Sequence, residues 1–207
     1  MPTTFIGKVA SLTNISIRCS PKFSQKIREI GLNNGADVLG ITTAEPFTDI
    51  QKIIENRKES GLAGSMQFTY RNPKRSTDVS MSLEGVDSLV VCAVSYAHVD
   101  NQKPQFPNSR VAQYATSNAK EVLFNALENV SFFLRNAGWR TRILTDDNGL
   151  VDRAAAMRAG IGFYGKNALL INEEWGSTVL LGTVATTAPL FSETKYSLEQ
   201  KISGCGK

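Results

Sequence analysis

The sequence predicts a single α/β domain in which helices flank a mixed central sheet. Apolar runs of strand length alternate along the chain with amphipathic segments of helical spacing, as in domains that cover a sheet with helices. The 207 residues are enough for one domain and short of two. With 42% hydrophobic and 20% charged residues, such a domain can bury an ordinary core, which excludes a chain that is disordered throughout.

Each element has its own signal. Residues 21–34 place Phe23, Ile27 and Ile30 on one helical face, and Gly35 follows as a helix terminator. The strongest strand signal is the run SLVVCAVSY at 88–96, and the clearest amphipathic helix covers 118–137. The other predicted elements are helices at 48–60 and 149–159 and strands at 36–42, 139–145, 168–172 and 177–187.

Charge and hydropathy limit the classes of partner. The 23 basic and 19 acidic residues leave a net charge of +4, which suits RNA or an anionic cofactor but is not polybasic. No apolar run approaches the roughly 18 residues that a membrane span needs. The first residues lack the apolar core of a secretory signal, so a cytoplasmic protein without a membrane partner is expected.

Scarce residue types narrow the chemistry further. The single histidine, His98, excludes mechanisms that need two imidazoles. The three cysteines, Cys19, Cys92 and Cys205, are too few and too scattered for a disulfide framework. Cys92 lies within an apolar run and is expected to be a small buried side chain. Nucleophile-elbow, P-loop and dinucleotide-binding glycine patterns are absent.

Three polar residues follow a predicted strand directly. Asp146, Asp147 and Asn148 precede an alanine-rich helix, so one of Asp147 and Asn148 is expected to cap it. One residue alone can occupy the cap, which leaves at least one acid free. Because ligands bind at the carboxyl ends of strands in α/β folds, this acid is a candidate functional group.

A glycine-rich stretch, AGIGFYGKN, follows that helix. Gly160 suits the residue that ends it. Gly162 and Gly165 would let backbone N–H groups approach a ligand, and Lys166 would add a positive charge for phosphate or carboxylate. The alternative interpretation is a tight loop that binds nothing.

The stretch from Asp146 to Ile171 resembles the epoxyqueuosine reductases. That family has an aspartate at a strand end, an acidic residue and an arginine paired in the following helix, then AGLGW-x-GKN-x-LLI. Weaker matches lie in the same order along nearly the whole chain; they are GADVLGITTAEPF, GSMQFTYR, GVDSLVVCAVSY, QYA, EWGS, LG and the final GCG.

The resemblance implies a cobalamin-dependent reductase with two [4Fe–4S] clusters that converts epoxyqueuosine to queuosine in the anticodon loop of tRNA. Residues 1–190 would then form a nitroreductase-like cobalamin-binding domain, and 191–207 would begin a truncated iron–sulfur domain. Cys205 would be a cluster ligand in a longer parent chain, since a four-iron cluster needs four thiolates. The present chain would be a monomer and inactive by itself.

The resemblance also implies roles for individual residues. Asp146 matches the family's proton-donating acid, and a carboxyl group covered by an apolar corrin would be desolvated and would keep its proton near neutrality. Arg71 falls where the family contacts cobalamin, although it could equally be a solvent-exposed surface arginine. Arg153 would brace the acid or bind a ligand, or else form an ion pair on the helix surface. The remaining implied cofactor contacts are Gly165, Lys166, Asn167 and Leu170.

One departure from the family leaves other functions open. After Arg-Tyr-Ala the family has Gly-Arg-Asp-Tyr-His, whereas this chain continues from Ala115 with Thr-Ser-Asn-Ala-Lys-Glu. This difference favours a corrinoid reductase of another small molecule, as reductive dehalogenases are. In a non-catalytic cobalamin-binding or trafficking module, Asp146 would be only a helix cap. A flavin enzyme has little support, because only Arg71 and Lys166 suit a flavin phosphate.

Overall fold

A four-stranded sheet forms the centre of the computed structural model, which describes residues 20–65, 67–97 and 111–192. The strands in these ranges are β1 (Val38–Thr43), β2 (Ser88–Ser95), β3 (Thr141–Leu144), β4 (Phe163–Tyr164), β5 (Leu170–Ile171) and β6 (Val179–Thr186). The central sheet has the order β1-β2-β6-β3, and each of its pairings is antiparallel. The short strands β4 and β5 form a separate antiparallel hairpin.

Helices cover this sheet. They are α1 (Pro21–Asn33), α2 (Thr48–Glu59), α3 (Phe68–Arg71), α4 (Pro73–Thr77), α5 (Gln113–Thr116), α6 (Ala119–Asn136) and α7 (Asp152–Arg158), with a 3-10 turn at Val79–Met81. Ser20 caps α1 by accepting a hydrogen bond from the Phe23 N–H at 3.3 Å. Gly35, just beyond α1, and Gly138, just beyond α6, have φ values of 106° and 89°, so each permits the left-handed turn that ends a helix.

Both faces of the sheet are buried. On β2, Val90 and Cys92 pack into a core with α1 and α6, whereas Leu89 and Val91 pack into a second core with α7. Because side chains alternate along a strand, a strand buried on both faces needs a continuous apolar run, and SLVVCAVSY is such a run. Cys92 is fully buried, as predicted, and burial raises the pKa of its thiol to about 12.

The structure confirms the α/β class and the flanking helices, and it corrects three details. The strand pairings in the described ranges are all antiparallel, not mixed. Helices α3 and α4 were not predicted, because they are only four and five residues long and lack apolar periodicity. Helix α7 begins at Asp152 with Val151 at its cap position, so neither Asp147 nor Asn148 caps it, and that prediction is wrong.

Some predictions concern residues outside the described ranges. His98, Cys19 and Cys205 belong to this group, as does most of the segment 191–207. Among the helices that the structure does describe, none is long and apolar enough to cross a membrane.

Candidate active site

A cavity of about 890 Å³ opens beside the end of β3 and the first turn of α7. Its volume lies at the upper end of the range typical of small-molecule sites. One part of its lining is apolar and consists of Leu169, Leu170, Val179, Leu180 and Leu181. Its charged lining residues are Lys120, Glu121, Asp146, Asp152 and Arg153.

Asp146 stands at this cavity in an unusual backbone conformation. Its φ of 51° is left-handed, a region that aspartate enters more readily than most residues. Its side chain is 80% exposed, and its Oδ2 lies 2.9 Å from Nζ of Lys120 at the start of α6. The ion pair raises the pKa of Lys120, through the hydrogen bond first and the opposite charge second. Asp146 is therefore held at the cavity mouth in contact with solvent, and the sequence-based hypothesis that it caps a helix does not apply.

Asp147 holds the loop rather than lining the cavity. Its Oδ1 accepts a hydrogen bond from the Gly149 N–H at 3.1 Å and lies 3.5 Å from the guanidinium of Arg75. The hydroxyl of Ser76 donates to the Asn148 carbonyl at 2.7 Å. Helix α4 thus braces the loop that presents Asp146.

Asp152, the first residue of α7, is the desolvated acid of the site. Its Oδ1 is buried and, among the described residues, has no hydrogen-bond partner. Burial raises the pKa of Asp152 to about 7, and the negative charges of Asp146 and, more weakly, Asp147 add to the rise. The positive charge of Arg153 and a backbone hydrogen bond oppose it. In the ligand-free chain the desolvated acid is thus Asp152, whereas desolvation of Asp146 is a prediction for the chain with a corrin bound.

The loop between β4 and β5 closes on itself. The Gly165 N–H donates to the Leu169 carbonyl at 2.9 Å, and Oδ1 of Asn167 accepts from the Leu169 N–H at 3.1 Å. Arg153 reaches over from α7, and its Nη1 donates to the carbonyl of Ala168. Ala168 has a φ of 62°, which is strained for alanine. These bonds fix the loop against the first turn of α7.

The glycines of this region are required by packing within the chain. A Cβ on Gly162 would lie 2.3 Å from the Ile171 carbonyl oxygen, and one on Gly165 would lie 2.5 Å from Cδ1 of Ile171. The tight-loop interpretation therefore accounts for both glycines without a ligand.

The structure brings together three of the predicted site residues, Asp146, Arg153 and Leu170, in the cavity lining. Lys166 and Asn167 are exposed on the adjacent loop, and Arg71 is exposed at the end of α3. Neither these three residues nor Gly165 lines the cavity.

The sequence analysis missed several lining residues. Asp152 carried only the weak signal of an acidic residue next to an arginine. Lys120 and Glu121 belong to the segment where the chain departs from the family, so the departure itself marked part of the cavity wall. Tyr96 and Tyr114 pack edge to face with ring centroids 6.4 Å apart, a pairing between distant segments that no local pattern predicts.

Comparison with known proteins places this geometry in context. The epoxyqueuosine reductase of Lactococcus garvieae is 27% identical over 188 residues, covering 88% of this chain and 52% of that protein. That of Prochlorococcus marinus is 29% identical, covering 84% and 56%. The chain spans about half the length of the curated relatives that it matches. A search against models of protein families finds no match.

Solved structures give the same relationship. The epoxyqueuosine reductase of Streptococcus thermophilus superimposes with a TM-score of 0.72 at 27% identity, over 84% of this chain and 48% of that one. An epoxyqueuosine reductase with a tRNA-Tyr epoxyqueuosine-modified stem loop gives 0.70 at 25% identity, over 85% and 48%. A reductive dehalogenase whose structure suggests a mechanism for B12-dependent dehalogenation gives 0.53 at 15% identity, which shows a shared fold alone.

The fold and sequence thus relate this chain to a class of reductases. Within that class, the resemblance to epoxyqueuosine reductases that the motifs predicted is confirmed over most of the chain.

Proposed function

We propose that the chain binds a corrinoid in the cavity beside α7 and forms the part of an epoxyqueuosine reductase that receives cofactor and substrate. The observation that carries the proposal is one cavity whose lining combines an apolar part with three carboxyl groups, those of Glu121, Asp146 and Asp152. The cavity lies where the motif most specific to the family begins. The relationship to epoxyqueuosine reductases supports the choice of reaction.

The lining residues fit a large flat group with an apolar face and polar edges. Leu169, Leu170 and Leu181 offer aliphatic contact, and the positive charges of Lys120 and Arg153 lie in the same lining, where they would favour the polar or phosphate edge of a ligand. The buried Oδ1 of Asp152 is an acceptor with no described partner, as a site awaiting a ligand or water would have. A reduced corrinoid would supply electrons for the reaction. The B12-dependent dehalogenase is consistent with such a cofactor on this fold.

The remaining predicted contacts lie beyond the cavity lining. In this proposal, Arg71, Gly165, Lys166 and Asn167 meet the part of the cofactor that extends past the cavity. We assign no iron–sulfur cluster to the described residues, in which no group of three or more His, Cys, Asp or Glu side chains is placed to hold a metal. Cys205 stays the proposed cluster ligand.

Asp146 is the proposed proton donor to the leaving oxygen. Its position at the cavity mouth lets it meet a substrate that enters from solvent. In this role Asp146 would exchange its ion pair with Lys120, 2.9 Å away in the ligand-free chain, for a proton when the substrate binds. The proposed substrate is epoxyqueuosine in tRNA, as supported by the related enzyme solved with a modified tRNA stem loop.

A second candidate function follows from the cavity wall. Ser117, Lys120 and Glu121 stand in the segment where the family has Gly-Arg-Asp-Tyr-His. A reductase with this wall would act on another small molecule through the same cofactor and the same acids.

A single-turnover assay tests the proposal. The chain is loaded with cobalamin, reduced with titanium(III) citrate, and mixed with an epoxyqueuosine-modified tRNA-Tyr stem loop. We expect queuosine by mass spectrometry, formed about 10² to 10⁴-fold more slowly with Asp146→Asn. Cobalamin binding without queuosine would overturn the substrate assignment. An undiminished rate in Asp146→Asn would overturn the proton-donor role.

A further inference from the structure

Asp152 lies in the first turn of α7, and its burial is not explained by its position at a helix start. Asp152 is the first helical residue, where an ionised carboxylate is favoured by the helix dipole. Asp49, the second residue of α2, is also an acid in the first turn of a helix, and it is exposed. Asp152 instead has a buried Oδ1 and lines a cavity.

The proposed reaction has a proton requirement that one acid does not meet. Reductive removal of an epoxide oxygen breaks two C–O bonds, forms a carbon–carbon double bond and releases water. The balance consumes two electrons and two protons. In the proposed function the electrons come from a corrinoid that a low-potential donor has reduced. Asp146 stands at the solvent-exposed mouth, so a ligand that fills the cavity would exclude water only from the inner part. A proton needed in that inner part has to come from a group that is buried there, such as the carboxyl group of Asp152.

We propose that Asp152 is a proton-holding acid of this cavity and supplies the second of the two protons, after Asp146 has supplied the first. This inference rests on the proposed function for its reaction. Its location rests on geometry alone, because both carboxyl groups line one cavity, where the side chain of Asp146 is 80% exposed and Asp152 is half-buried with its Oδ1 out of contact with solvent. A buried carboxyl group favours its neutral form, which is the form that stores a proton.

The charges around Asp152 support the assignment. Asp146 and Asp147, on the preceding loop, disfavour its ionised form, and Arg153, the next residue, favours it. Burial has the largest effect, and the balance raises the pKa of Asp152 to about 7. An acid of this kind is about half protonated at neutral pH, where general acids work best.

Other ionisable side chains reach the same cavity from other elements. Lys120 and Glu121 come from α6 and carry opposite charges, and Lys120 is paired with Asp146. Tyr96 follows β2, and Tyr114 lies on α5. The described stretch of β6, which also packs against α7, adds no ionisable side chain.

The direct test is a carboxyl-carbon NMR titration of the ligand-free chain labelled at aspartate, with the Asp152 signal assigned by its loss in Asp152→Asn. We expect a midpoint of about 7 for this signal. Asp146→Asn should lower the midpoint, because it removes the neighbouring negative charge. Arg153→Met should raise it, and Asp49→Asn, the matched control at an exposed helix start, should leave it unchanged. A midpoint near the ordinary value of about 3.9 would overturn the inference.

The dependence of stability on pH provides a second test, which does not require assignment of the Asp152 NMR signal. A folded-state pKa above the unfolded one means that the folded chain binds more protons between about pH 4 and 7, so stability falls as pH rises through this window. The melting temperature of the wild type should decrease between about pH 4 and 7 for this reason, and that of Asp152→Asn should not show this decrease. An unaltered profile in Asp152→Asn would also overturn the inference.

The pH dependence of turnover tests whether Asp152 takes part in the reaction. In the cobalamin-loaded wild type, the single-turnover rate should fall between about pH 6 and 8, because Asp152 loses its proton in this range. Asp152→Asn should not show this fall. A purely structural Asp152 would leave that pH profile in place, which would contradict the catalytic part. If Asp152 titrates with a midpoint of about 7 but the chain binds no cobalamin, the proposed function is rejected, whereas the conclusion that Asp152 holds a proton near neutral pH stands.

Discussion

Two loops border the cavity, and they are built in opposite ways. The loop at 145–149 presents Asp146 to solvent and is held from outside, by Arg75, Ser76 and Lys120. The loop at 165–169 is held by its own backbone bonds and by Arg153. Each contains a non-glycine residue in the left-handed region, Asp146 or Ala168. Strain of this kind persists only where the surroundings enforce it, and it often marks functional sites.

The two loops therefore have different roles: the loop at 145–149 presents a reactive side chain, and the loop at 165–169 holds the backbone in position. In the first, the left-handed residue is an acid with an open side chain, so its conformation aims a functional group. In the second, the left-handed residue offers only its carbonyl, which accepts from Arg153. Substitution of Asp146 should therefore change activity, and substitution of Ala168 should change stability.

The largest effect is expected for Asp146→Asn. Asparagine also enters the left-handed region, so the backbone should be kept while the transferable proton is lost. Single-turnover rates should fall by about 10² to 10⁴-fold, the usual contribution of general-acid catalysis. The melting temperature should change little, because the lost ion pair with Lys120 is exposed.

Asp147→Asn is the matched control for this variant. It keeps an Oδ1 that can accept from the Gly149 N–H and loses only the partly exposed ion pairs with Arg75 and Arg142. Its turnover should stay near that of the wild type. An equal loss of rate in both variants would mean that the whole loop had shifted, and the role of Asp146 would lose its support.

The second effect, on stability, is expected for Gly162→Ala. The new Cβ would lie 2.3 Å from the Ile171 carbonyl oxygen, and Ile171 pairs with Phe163 in the hairpin, so the backbone has to move. Urea denaturation should show a loss of about 3 kcal/mol, the upper end of the usual cost of overpacking.

Gly61→Ala separates crowding from backbone strain. Gly61 has a φ of 71°, and an added Cβ there meets nothing within 4 Å, so only the left-handed conformation costs energy, about 1 kcal/mol. Similar losses in the two variants would show that the hairpin is not closely packed at Gly162.

The smallest effect is expected for Ala168→Gly, and it should be favourable. Glycine removes the left-handed strain at an exposed position but loses more chain entropy on folding, so a net gain of about 0.5–1 kcal/mol is expected in urea. Ala115→Gly, in the short exposed helix α5, should instead lose about 0.5–1 kcal/mol. A loss in Ala168→Gly would indicate that the loop is not strained.

Local sequence patterns predicted the helices and strands well, because the spacing of apolar residues within a segment is enough to identify them. The run around Cys92 and the spacing of Leu123, Leu127 and Val130 each identify a strand or a helix without reference to the rest of the chain. Strand direction is different, because it depends on which distant segments pair. The antiparallel order β1-β2-β6-β3 is a property of the assembled sheet and left no local signal.

The site was predicted in part for the same reason. Asp146, Arg153 and Leu170 lie in one contiguous motif, and the fold keeps them at one cavity. The state of Asp152 could not be predicted, because an acid at a helix start is normally exposed and only tertiary packing buries this one. Lys120 reaches Asp146 from 26 residues away, a contact that no spacing rule anticipates.

Binding of cobalamin tests the central claim, that the cavity beside α7 is a corrinoid site, most directly. The visible spectrum of cob(II)alamin should change on addition of the chain to that of the form without its lower base, since none of the described residues lining the cavity is a histidine that could replace that base. Leu169→Asp, in the lining, should weaken binding, and Leu62→Asp, 71% exposed and outside the lining, should not. An unchanged cobalamin spectrum, or a protein that turns yellow with flavin mononucleotide instead, would contradict the account.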